Sequence, residues 1–453
     1  MIGRSRLLAI GMTVGAVALT AACSGGDPEA VTTASPTPEG PVLLTLAVYG
    51  PPPVISAYAK IAADFSAEHK DVVVNVRPYD DRAAAQATLT KQIADGNPPD
   101  AFLADRQDVA RLAEAKAVQP LDELLGERHV DFGDGFERNA LEAYSSDNAL
   151  QCMPVDMSPL VAYVNTDLVD LTTLRPEGET PVDAENGWTL DDLAVAAQQA
   201  TLGKVRGLYV APDLSQVAPF VWSGGGEVVD DQADPTTLTL SSRASSSALE
   251  KLLEVVRDPQ TTFNARQILR RSALQRFRAG QLAVMFGYRD LTPQLRTQQD
   301  LHFDVLPLPR IKAKASSGDS RGLCLSKASE HKKATADFLA YAVSADAMTQ
   351  LANTGYVVPT NLDVVNSDAF LQPGEQPASA QVFAASVRSI HEFPTVETWP
   401  SVATHTAPLL AGLFYDPVID PLDERLKAID AASVPLFTPI PTPSPSATAT
   451  PSG

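Results

Sequence analysis

The segment LLTLAVYG (residues 43–50) begins the alternation of elements that decides the fold. Two more short apolar segments follow it, VVVNV (72–76) and DAFLA (100–104). Between these segments, apolar residues recur every three or four positions: Ile55, Ala59, Ala62, Phe65, Ala85, Leu89 and Ile93. Short apolar runs predict buried strands, and the longer spacing predicts amphipathic helices. The pattern therefore predicts a β-α-β-α-β start, which is typical of a parallel sheet covered by helices.

Two later stretches extend the same alternation. Residues 282–286 predict a strand that ends just before Tyr288, which places Tyr288 at the carboxyl edge of a sheet. Ligands of open α/β sheets bind outside this edge. Thr189 is predicted as a helix N-cap with Asp192 at the third helical position. Trp188 precedes this cap, and we interpret it as a packing residue rather than a binding residue.

The size and charge of the chain exclude several classes of protein. With 453 residues, 44% of them hydrophobic, it is too long for a single core and predicts two or three domains. Its 55 acidic and 35 basic residues give a net charge of −20, which argues against nucleic-acid binding, because phosphate recognition needs clustered Lys and Arg. The six His and three Cys lack the spacing of a zinc site, so we expect neither a metal nor a cofactor.

The first 23 residues predict export from a bacterial cytoplasm. Arg4 and Arg6 precede an apolar run at 7–22 that leads directly into Cys23. This pattern predicts a signal peptide at 1–22. The residues LTAAC (19–23) resemble a bacterial lipobox, which implies that Cys23 carries acyl chains such as palmitate and anchors the mature protein to the outside of the membrane. An ordinary secretory signal with an incidental Cys is the alternative.

Both ends of the remaining chain are poor in large apolar residues. Residues 23–40 contain mainly Gly, Pro, Ser, Thr and acidic residues and predict a disordered tether behind the lipidated Cys. Residues 438–453 are uncharged and rich in Pro, which predicts a disordered, extended tail. The folded part is therefore expected at 41–437.

A series of stretches, in a fixed order, resembles the extracellular solute-binding proteins of ABC importers, and among them the sugar-type binders of family 1. These stretches are QIADGNPPDAF (92–102), LAE (112–114), VQPL (118–121), MPV (153–155), AYVNTDL (162–168), GWTLDDL (187–193), RFRAGQLAVM (276–285), residues 334–339 and GYVVPT (355–360). The resemblance extends over about residues 43–431. It implies a two-lobe, periplasmic-binding-protein-like α/β fold, with a hinge of crossing strands and a ligand cleft between the lobes.

Carried over to this sequence, the resemblance assigns residues 41–155 plus 325–385 to lobe one, and 156–323 plus 394–437 to lobe two. Cys152 and Cys324 would then lie on neighbouring crossing strands. Disulfides persist outside the cytoplasm, and a bond needs Cα atoms closer than about 7 Å, which neighbouring strands provide. The resemblance therefore favours a disulfide between them, and two buried free thiols are the alternative.

A closing cleft holds its ligand with a few aromatic faces and a few fixed polar groups. Seven candidates follow from predicted strand ends and from matching places in the family: Tyr49, Asp105, Asp156, Trp222, Gly225, Tyr288 and Trp399. Structural roles compete with binding. The Tyr and Trp side chains are also typical of a core, two Asp at strand ends are expected by chance in an acidic chain, and Gly225 fits a tight turn.

The resemblance implies a monomeric, lipid-anchored receptor without catalytic residues. It would capture a mono- or oligosaccharide and deliver it to an ABC permease in the membrane. The sequence contains no P-loop, no Gly-x-Ser-x-Gly motif and no His-Glu-x-x-His motif. Two alternatives stay open: a ligand sensor or wall-binding protein of the same fold, and a carbohydrate-active hydrolase that uses a pair of carboxylates.

Overall fold

The computed structural model describes residues 40–438. The predicted signal peptide (1–22), the predicted acylation site Cys23, the predicted tether up to residue 39 and the predicted tail from residue 439 lie outside the described residues. Among the helices of residues 40–438, none is both long and apolar enough to cross a membrane.

Strands and helices alternate along most of the chain. The strands are β1 (Val42–Tyr49), β2 (Val72–Tyr79), β3 (Ala101–Asp105), β4 (Val118–Gln119), β5 (Ser145–Ser146), β6 (Ala149–Leu150), β7 (Cys152–Pro159), β8 (Val161–Asn165), β9 (Arg206–Tyr209), β10 (Leu282–Gly287), β11 (Phe303–Leu306) and β12 (Gly318–Ser326).

The helices before β10 are α1 (Pro52–Glu68), α2 (Arg82–Ala94), α3 (Arg106–Glu114), α4 (Asp122–Gly126), α5 (Arg138–Ala143), α6 (Leu190–Ala200), α7 (Leu214–Ser223), α8 (Arg243–Val256), α9 (Ala265–Arg270) and α10 (Ala273–Phe277). Those after it are α11 (Leu291–Arg296), α12 (Lys332–Ala342), α13 (Ala345–Ala352), α14 (Leu362–Val365), α15 (Asp368–Leu371), α16 (Gln381–Ser386), α17 (Trp399–Tyr415) and α18 (Leu422–Phe437). Single 3₁₀ turns lie at Leu171–Thr173 and Val387–Ser389.

The first sheet has the strand order β2-β1-β3-β12-β4, and β7 also pairs with β12. β1 runs parallel to β2 and to β3, as the alternation of apolar segments predicts. β12 enters from much later in the chain and runs antiparallel to β3 and β7. β3 and β7 are buried along their whole length, because helices or other strands cover both faces of the sheet. We call the part of the protein built on this sheet lobe one.

The second sheet has the strand order β11-β8-β10-β9, and we call the part built on it lobe two. β8 is antiparallel to β10 and β11, whereas β9 and β10 are parallel. The side chains of α6, α7, α8, α17 and α18 form one core with this sheet. On the opposite face, Tyr163 packs against Phe303 and Phe383, with ring centroids 6.0 and 6.2 Å apart.

Three segments connect the lobes. Leu160 joins β7 to β8, residues 307–317 join β11 to β12, and residues 387–398 lead from α16 to α17. Residues 156–159 and 318–323 hydrogen-bond within the first sheet, although the sequence prediction assigns them to lobe two. The physical reason is that β7 and β12 continue to pair with each other up to Pro159 and Gly318, so that both segments extend the first sheet.

Cys152 and Cys324 lie directly opposite each other on β7 and β12. A disulfide joins them, and their Cα atoms are 4.3 Å apart. The bond ties together two strands of the first sheet, each of which continues toward a lobe crossing.

The buried face of α1 differs from the predicted one. The buried residues are Val54, Ala57, Tyr58, Ile61, Ala62 and Phe65. Ile55 is only half-buried and Ala59 is exposed, so the predicted stripe is wrong at these two positions. The helix carries apolar or small residues at nearly every position from 54 to 59, so that two neighbouring stripes satisfy the helical spacing. Packing against the sheet selects the stripe with the larger Tyr58 and Ile61 side chains.

The predicted N-cap at Thr189 is present as a reciprocal capping box. The Thr189 hydroxyl accepts a hydrogen bond from the backbone N–H of Asp192 (3.2 Å), whose carboxylate accepts one from the backbone N–H of Thr189 (2.7 Å). Trp188 is fully buried and its indole N–H donates to the carbonyl of Pro307 (2.8 Å). Trp188 therefore packs within lobe two and anchors the start of α6.

We expect Thr189→Ala to lower the free energy of unfolding by about 1 to 2 kcal/mol, because it removes the acceptor for one unpaired helix N–H. Urea unfolding measures the loss. Thr88→Ala, in the body of α2, is the matched control and should change stability by no more than about 0.5 kcal/mol. Equal losses in the two variants would contradict a capping role for Thr189.

Candidate functional site

A cavity of about 230 Å³ lies where the lobe crossings meet the edges of both sheets, and we call it the central cavity. Lobe one contributes the carboxyl end of β3, the first residues of α2 and α3, and the start of β12. Lobe two contributes the start of α7 and the residue that follows β10. The lining residues are Arg82, Asp105, Arg106, Gln107, Ser215, Tyr288, Gly318, Asp319, Ser320, Glu392 and Phe393.

A second cavity, of about 470 Å³, adjoins the first and shares Arg82 and Gln107 with it. It lies between α2 and α3 of lobe one and the start of α17 in lobe two. Its other lining residues are Ala83, Gln86, Ala87, Thr90, Asp108, Arg111, Val396, Glu397 and Pro400. The two cavities share part of their lining, and we call them together the cleft.

Two of the seven residues predicted from the sequence, Asp105 and Tyr288, line the central cavity. Asp105 ends β3, and Tyr288 follows β10, where its hydroxyl lies 3.3 Å from that of Ser317. Tyr49 ends β1 and is buried behind them, and burial followed by the charge of Asp105 raises the pKa of its phenol. Ligands of α/β proteins bind beyond the carboxyl ends of strands, and the central cavity lies at the sheet edge that this rule predicts.

Trp222 and Trp399 lie one layer behind the cavity, in contact with Phe393. The ring centroid of Phe393 is 5.2 Å from that of Trp222 and 5.0 Å from that of Trp399. His391 stacks on the other side of Trp222, at 5.1 Å. Both Trp side chains are buried, so they hold Phe393 in place at the wall of the cavity instead of lining it themselves.

Asp156 and Gly225 lie away from both cavities. Asp156 is 1% exposed, forms an ion pair with Arg321, and accepts a hydrogen bond from the backbone N–H of Val358 (2.6 Å). Gly225 has a φ of +85° in the turn after α7, which favours glycine for backbone reasons alone. The structure therefore places Asp156 between crossing strands and Gly225 in a tight turn.

The lining residues that were not among the sequence candidates include the charged and aromatic side chains of Arg82, Arg106, Asp319, Glu392 and Phe393. Arg82 and Arg106 begin the helices that follow β2 and β3. A search that covers the few residues after each predicted strand, and not only its last residue, would include them. Glu392 and Phe393 lie in the third crossing segment, outside any strand or helix. Nothing local in the sequence marks that segment as part of a site.

The charged groups of the cleft are partly paired, within lobe one and between lobe one and the third crossing segment. Arg82 Nε lies 3.0 Å from a carboxylate oxygen of Asp105. Arg106 of lobe one lies 3.4 Å from the carboxylate of Glu392 and donates to the carbonyl of Phe393 (2.7 Å). These contacts attach the third crossing segment to the start of α3.

Burial, with the charge of Asp319 as the next cause, raises the pKa of Asp105 to about 7, although Arg82 opposes the shift. Burial also raises the pKa of Glu392, against the opposing effect of Arg106. Both carboxyl groups therefore bind protons more readily than exposed acids do. For both groups, burial and the nearby charge of Asp319 raise the pKa.

We expect the unliganded protein to become less stable as pH rises from 5 to 8. The unfolded Asp105 loses its proton near pH 4, whereas the folded one retains it until about pH 7, so the unfolded state gains relative stability over this interval. Over two pH units, this difference in proton binding lowers the free energy of unfolding by about 2 to 3 kcal/mol. Urea unfolding at each pH should show a weaker dependence on pH in Asp105→Asn than in the unchanged protein.

The comparison isolates Asp105 from other groups that titrate. The pKa of His391 is lowered by burial, which makes stability rise with pH below about 6.5, but this contribution is common to both proteins. Asp423→Asn, in the first turn of α18, is the matched control and should follow the unchanged protein between pH 5 and 8. An identical pH dependence in Asp105→Asn and the unchanged protein would contradict the prediction.

The cleft combines aromatic surface with convergent polar groups. It can bury a small polar molecule in contact with Phe393, Tyr288, the carboxylates and the arginines. Within residues 40–438, no group of three or more His, Cys, Asp or Glu side chains is placed to hold a metal ion.

A family model described as bacterial extracellular solute-binding protein matches residues 60–378. Solved structures share the fold over nearly their whole length. An ABC substrate-binding protein of Listeria monocytogenes, solved with cycloalternan, superposes with a TM-score of 0.71 at 21% identity, over 87% of this chain and 98% of its own. The sugar-binding protein MalE of Xanthomonas citri superposes with a TM-score of 0.75 at 14% identity, over 87% and 97%.

A third structure is the GacH receptor of Streptomyces glaucescens, solved unliganded and with acarbose. It superposes with a TM-score of 0.70 at 19% identity, over 88% of this chain and 99% of its own. These structures share the two-lobe α/β architecture described above. No curated protein matches the sequence.

Proposed function

Because the chain belongs to the bacterial extracellular solute-binding protein family, we propose that it captures a saccharide between its two lobes and delivers it to the permease of an ABC importer. One observation carries the proposal: the cleft is lined from both lobes and combines aromatic rings with fixed polar groups. The structural neighbours that were solved with cycloalternan and acarbose support a saccharide as the solute.

The arrangement of the cleft explains how capture would change the protein. Asp105 and Arg106 belong to lobe one, and Tyr288 to lobe two, so a molecule that contacts all three is bound more tightly when the lobes are close together. A ligand shifts an equilibrium only through such differential contacts. The closed, ligand-bound form would then be the one that the permease recognises. Signal-directed export and acylation of Cys23 would hold the receptor at the membrane.

Residue roles follow from position in the cleft. Phe393 and Tyr288 would provide apolar faces for sugar rings, and the polar groups around Asp105 would orient hydroxyl groups. Trp222 and Trp399 would act indirectly, by holding the ring of Phe393. Binding and release would require no catalytic residue.

Titration calorimetry of the purified protein with mono- and oligosaccharides tests the proposal. A saccharide at one hundred times its Kd should also raise the free energy of unfolding by about 2.7 kcal/mol, visible as a higher melting temperature. We expect Phe393→Leu, which retains apolar volume, to weaken binding at least about tenfold, a loss of roughly 1.4 kcal/mol. Phe132→Leu, outside the cleft, is the matched control and should bind normally.

Two results would overturn the proposal. Absence of binding for every saccharide tested would contradict the proposal that the solute is a saccharide. Cleavage of an oligosaccharide during the titration would show an enzyme instead of a receptor. Uptake of the bound saccharide by cells, lost on deletion of the gene, tests delivery to a permease separately from capture.

A further inference from the structure

The central cavity is lined by more acidic than basic side chains. Three carboxylates line it, Asp105, Asp319 and Glu392, and we call them the cleft carboxylates. Two arginines line it as well, Arg82 and Arg106. Each of these arginines already lies within ion-pair distance of another cleft carboxylate, Arg82 with Asp105 and Arg106 with Glu392. The third carboxylate, Asp319, is the one in excess.

Asp319 has no cationic side chain of residues 40–438 within ion-pair distance. Its nearest charged neighbour along the strand, Arg321, is engaged by the buried carboxylate of Asp156. The negative charge of Asp319 raises the pKa of both Asp105 and Glu392. The three cleft carboxylates therefore repel one another across the cavity, and a positive charge between them would be attracted by all three.

Four buried polar atoms at this cluster lack hydrogen-bond partners within the described part of the chain. Two are oxygens, the phenol oxygen of Tyr49, a side chain that is only 7% exposed, and Oε1 of Glu392. The other two are Nε of Arg82 and Nε of Arg106, each of which lies at ion-pair distance from a carboxylate. The charges that act on the Tyr49 phenol are those of Asp105, Arg321, Asp319 and Arg82, which locates it at the same cluster. Buried polar groups without partners are rare in folded proteins. Glu392 lines the central cavity, so its unpartnered oxygen can accept a hydrogen bond from a ligand bound there.

The kind of ligand follows from comparing what could neutralise the cluster. A neutral sugar would leave the charge of Asp319 unpaired inside a cleft that closes away from water, which is costly. A phosphate or carboxylate group would add to the repulsion. A metal ion needs a tight set of ligands, and residues 40–438 provide none. A protonated amine brings one positive charge and up to three N–H donors, which suits both the carboxylates and the unpartnered oxygens.

We propose that the cleft selects a saccharide that carries a protonated amino group, with the amine bound at Asp319 between Asp105 and Glu392. This inference rests on the proposed function, because it specifies the solute that the same cleft captures. Tyr288 and Phe393 would still contact the sugar rings, and the amine would determine which saccharide is preferred.

The experiment uses pairs of sugars that differ only in an amino or a hydroxyl group. Glucosamine is compared with glucose, and fully deacetylated chitotriose with cellotriose, by titration calorimetry of the full chain at pH 7. We expect the amino member to bind at least about tenfold more tightly, as for a charge-assisted hydrogen bond in a cleft. Binding should also release protons, which makes the measured heat depend on the ionisation enthalpy of the buffer.

Asp319→Asn keeps the size of the side chain and removes its charge. We expect this variant to bind the amino and the hydroxyl member of each pair with affinities within about threefold of each other, because the charge that distinguishes the two members is gone. Asp147→Asn, in the turn between β5 and β6, is the matched control and should retain the full preference.

The outcomes separate this inference from the proposed function. Equal affinities within each pair, or tighter binding of the hydroxyl member, would overturn selection for an amine and leave saccharide capture intact. A preference that persists in Asp319→Asn would overturn the role of Asp319. Absence of binding for both members of both pairs, together with absence of binding for the wider set of saccharides, would overturn the proposed function itself.

Discussion

Replacing Asp156 with alanine is expected to lower the free energy of unfolding by about 3 to 5 kcal/mol, because it leaves the buried guanidinium of Arg321 without its counter-charge. The two residues form an ion pair between β7 and β12, where the side chain of Asp156 is 2% exposed and that of Arg321 is 12% exposed. The change also removes the acceptor for the backbone N–H of Val358. Burial raises the pKa of Asp156 to about 6 even though Arg321 acts in the opposite direction, which shows how strongly this site is shielded from water.

A double-mutant cycle measures the interaction directly. Arg321→Met alone should also destabilise the protein, because it leaves the carboxylate of Asp156 buried and unpaired. The double variant Asp156→Ala/Arg321→Met removes both charges and should recover a large part of the loss. Urea unfolding of the four proteins gives the coupling energy.

The same variants decide between two roles for Asp156. If it holds the strands together, stability falls and sugar affinity per folded molecule is retained. Loss of affinity without loss of stability would instead support the ligand-binding role predicted from the sequence. A loss of stability below about 1 kcal/mol, the median for an exposed ion pair, would contradict the buried-pair interpretation.

Removing the disulfide is the second change with a large expected effect. The bond joins Cys152 and Cys324, which are 172 positions apart in the sequence. In the chain-entropy description, a closed loop of this length restricts the unfolded state enough to stabilise the folded one by about 5 kcal/mol, and measured losses are commonly 2 to 5 kcal/mol. We therefore expect the Cys152→Ala/Cys324→Ala variant to unfold at a markedly lower urea concentration.

The reducing agent dithiothreitol provides the internal control for this experiment. It should lower the stability of the unchanged protein to nearly that of the double Ala variant, and should leave the variant itself unaffected. Titration with a thiol reagent after unfolding without reductant should find neither Cys152 nor Cys324 as a free thiol. Two free thiols, or equal stability of both proteins, would contradict the bond.

The ion pair and the disulfide join the same pair of strands, β7 and β12, within the first sheet. Together they make this part of lobe one rigid. If the lobes move relative to each other, we expect the backbone to bend at Leu160 and within residues 311–317, beyond the last rungs of the β7 and β12 ladder. The third crossing, at 387–398, is attached to lobe one through Arg106.

The sequence by itself determined the features that depend on neighbours along the chain. Runs of apolar residues and their spacing predicted β1, β2, β3 and β10 within a few residues, because burial imposes a period of two or of 3.6 on local sequence. The capping box at Thr189 was predictable for the same reason, since both its hydrogen bonds join residues three apart. Asp105 and Tyr288 followed from the ends of predicted strands.

Only the tertiary structure decided which distant residues meet. The buried pair of Asp156 and Arg321 joins residues 165 positions apart, and the hydrogen bond from Arg106 to Phe393 spans 287. Neither pattern has a local signal, because each depends on where β12 and the third crossing segment lie in the assembled protein. The buried stripe of α1 was ambiguous for a related reason: two faces satisfied the helical spacing, and contact with the sheet selected one. Local sequence limits what each element can bury, and the packing of the elements against one another determines which side chains face the cleft.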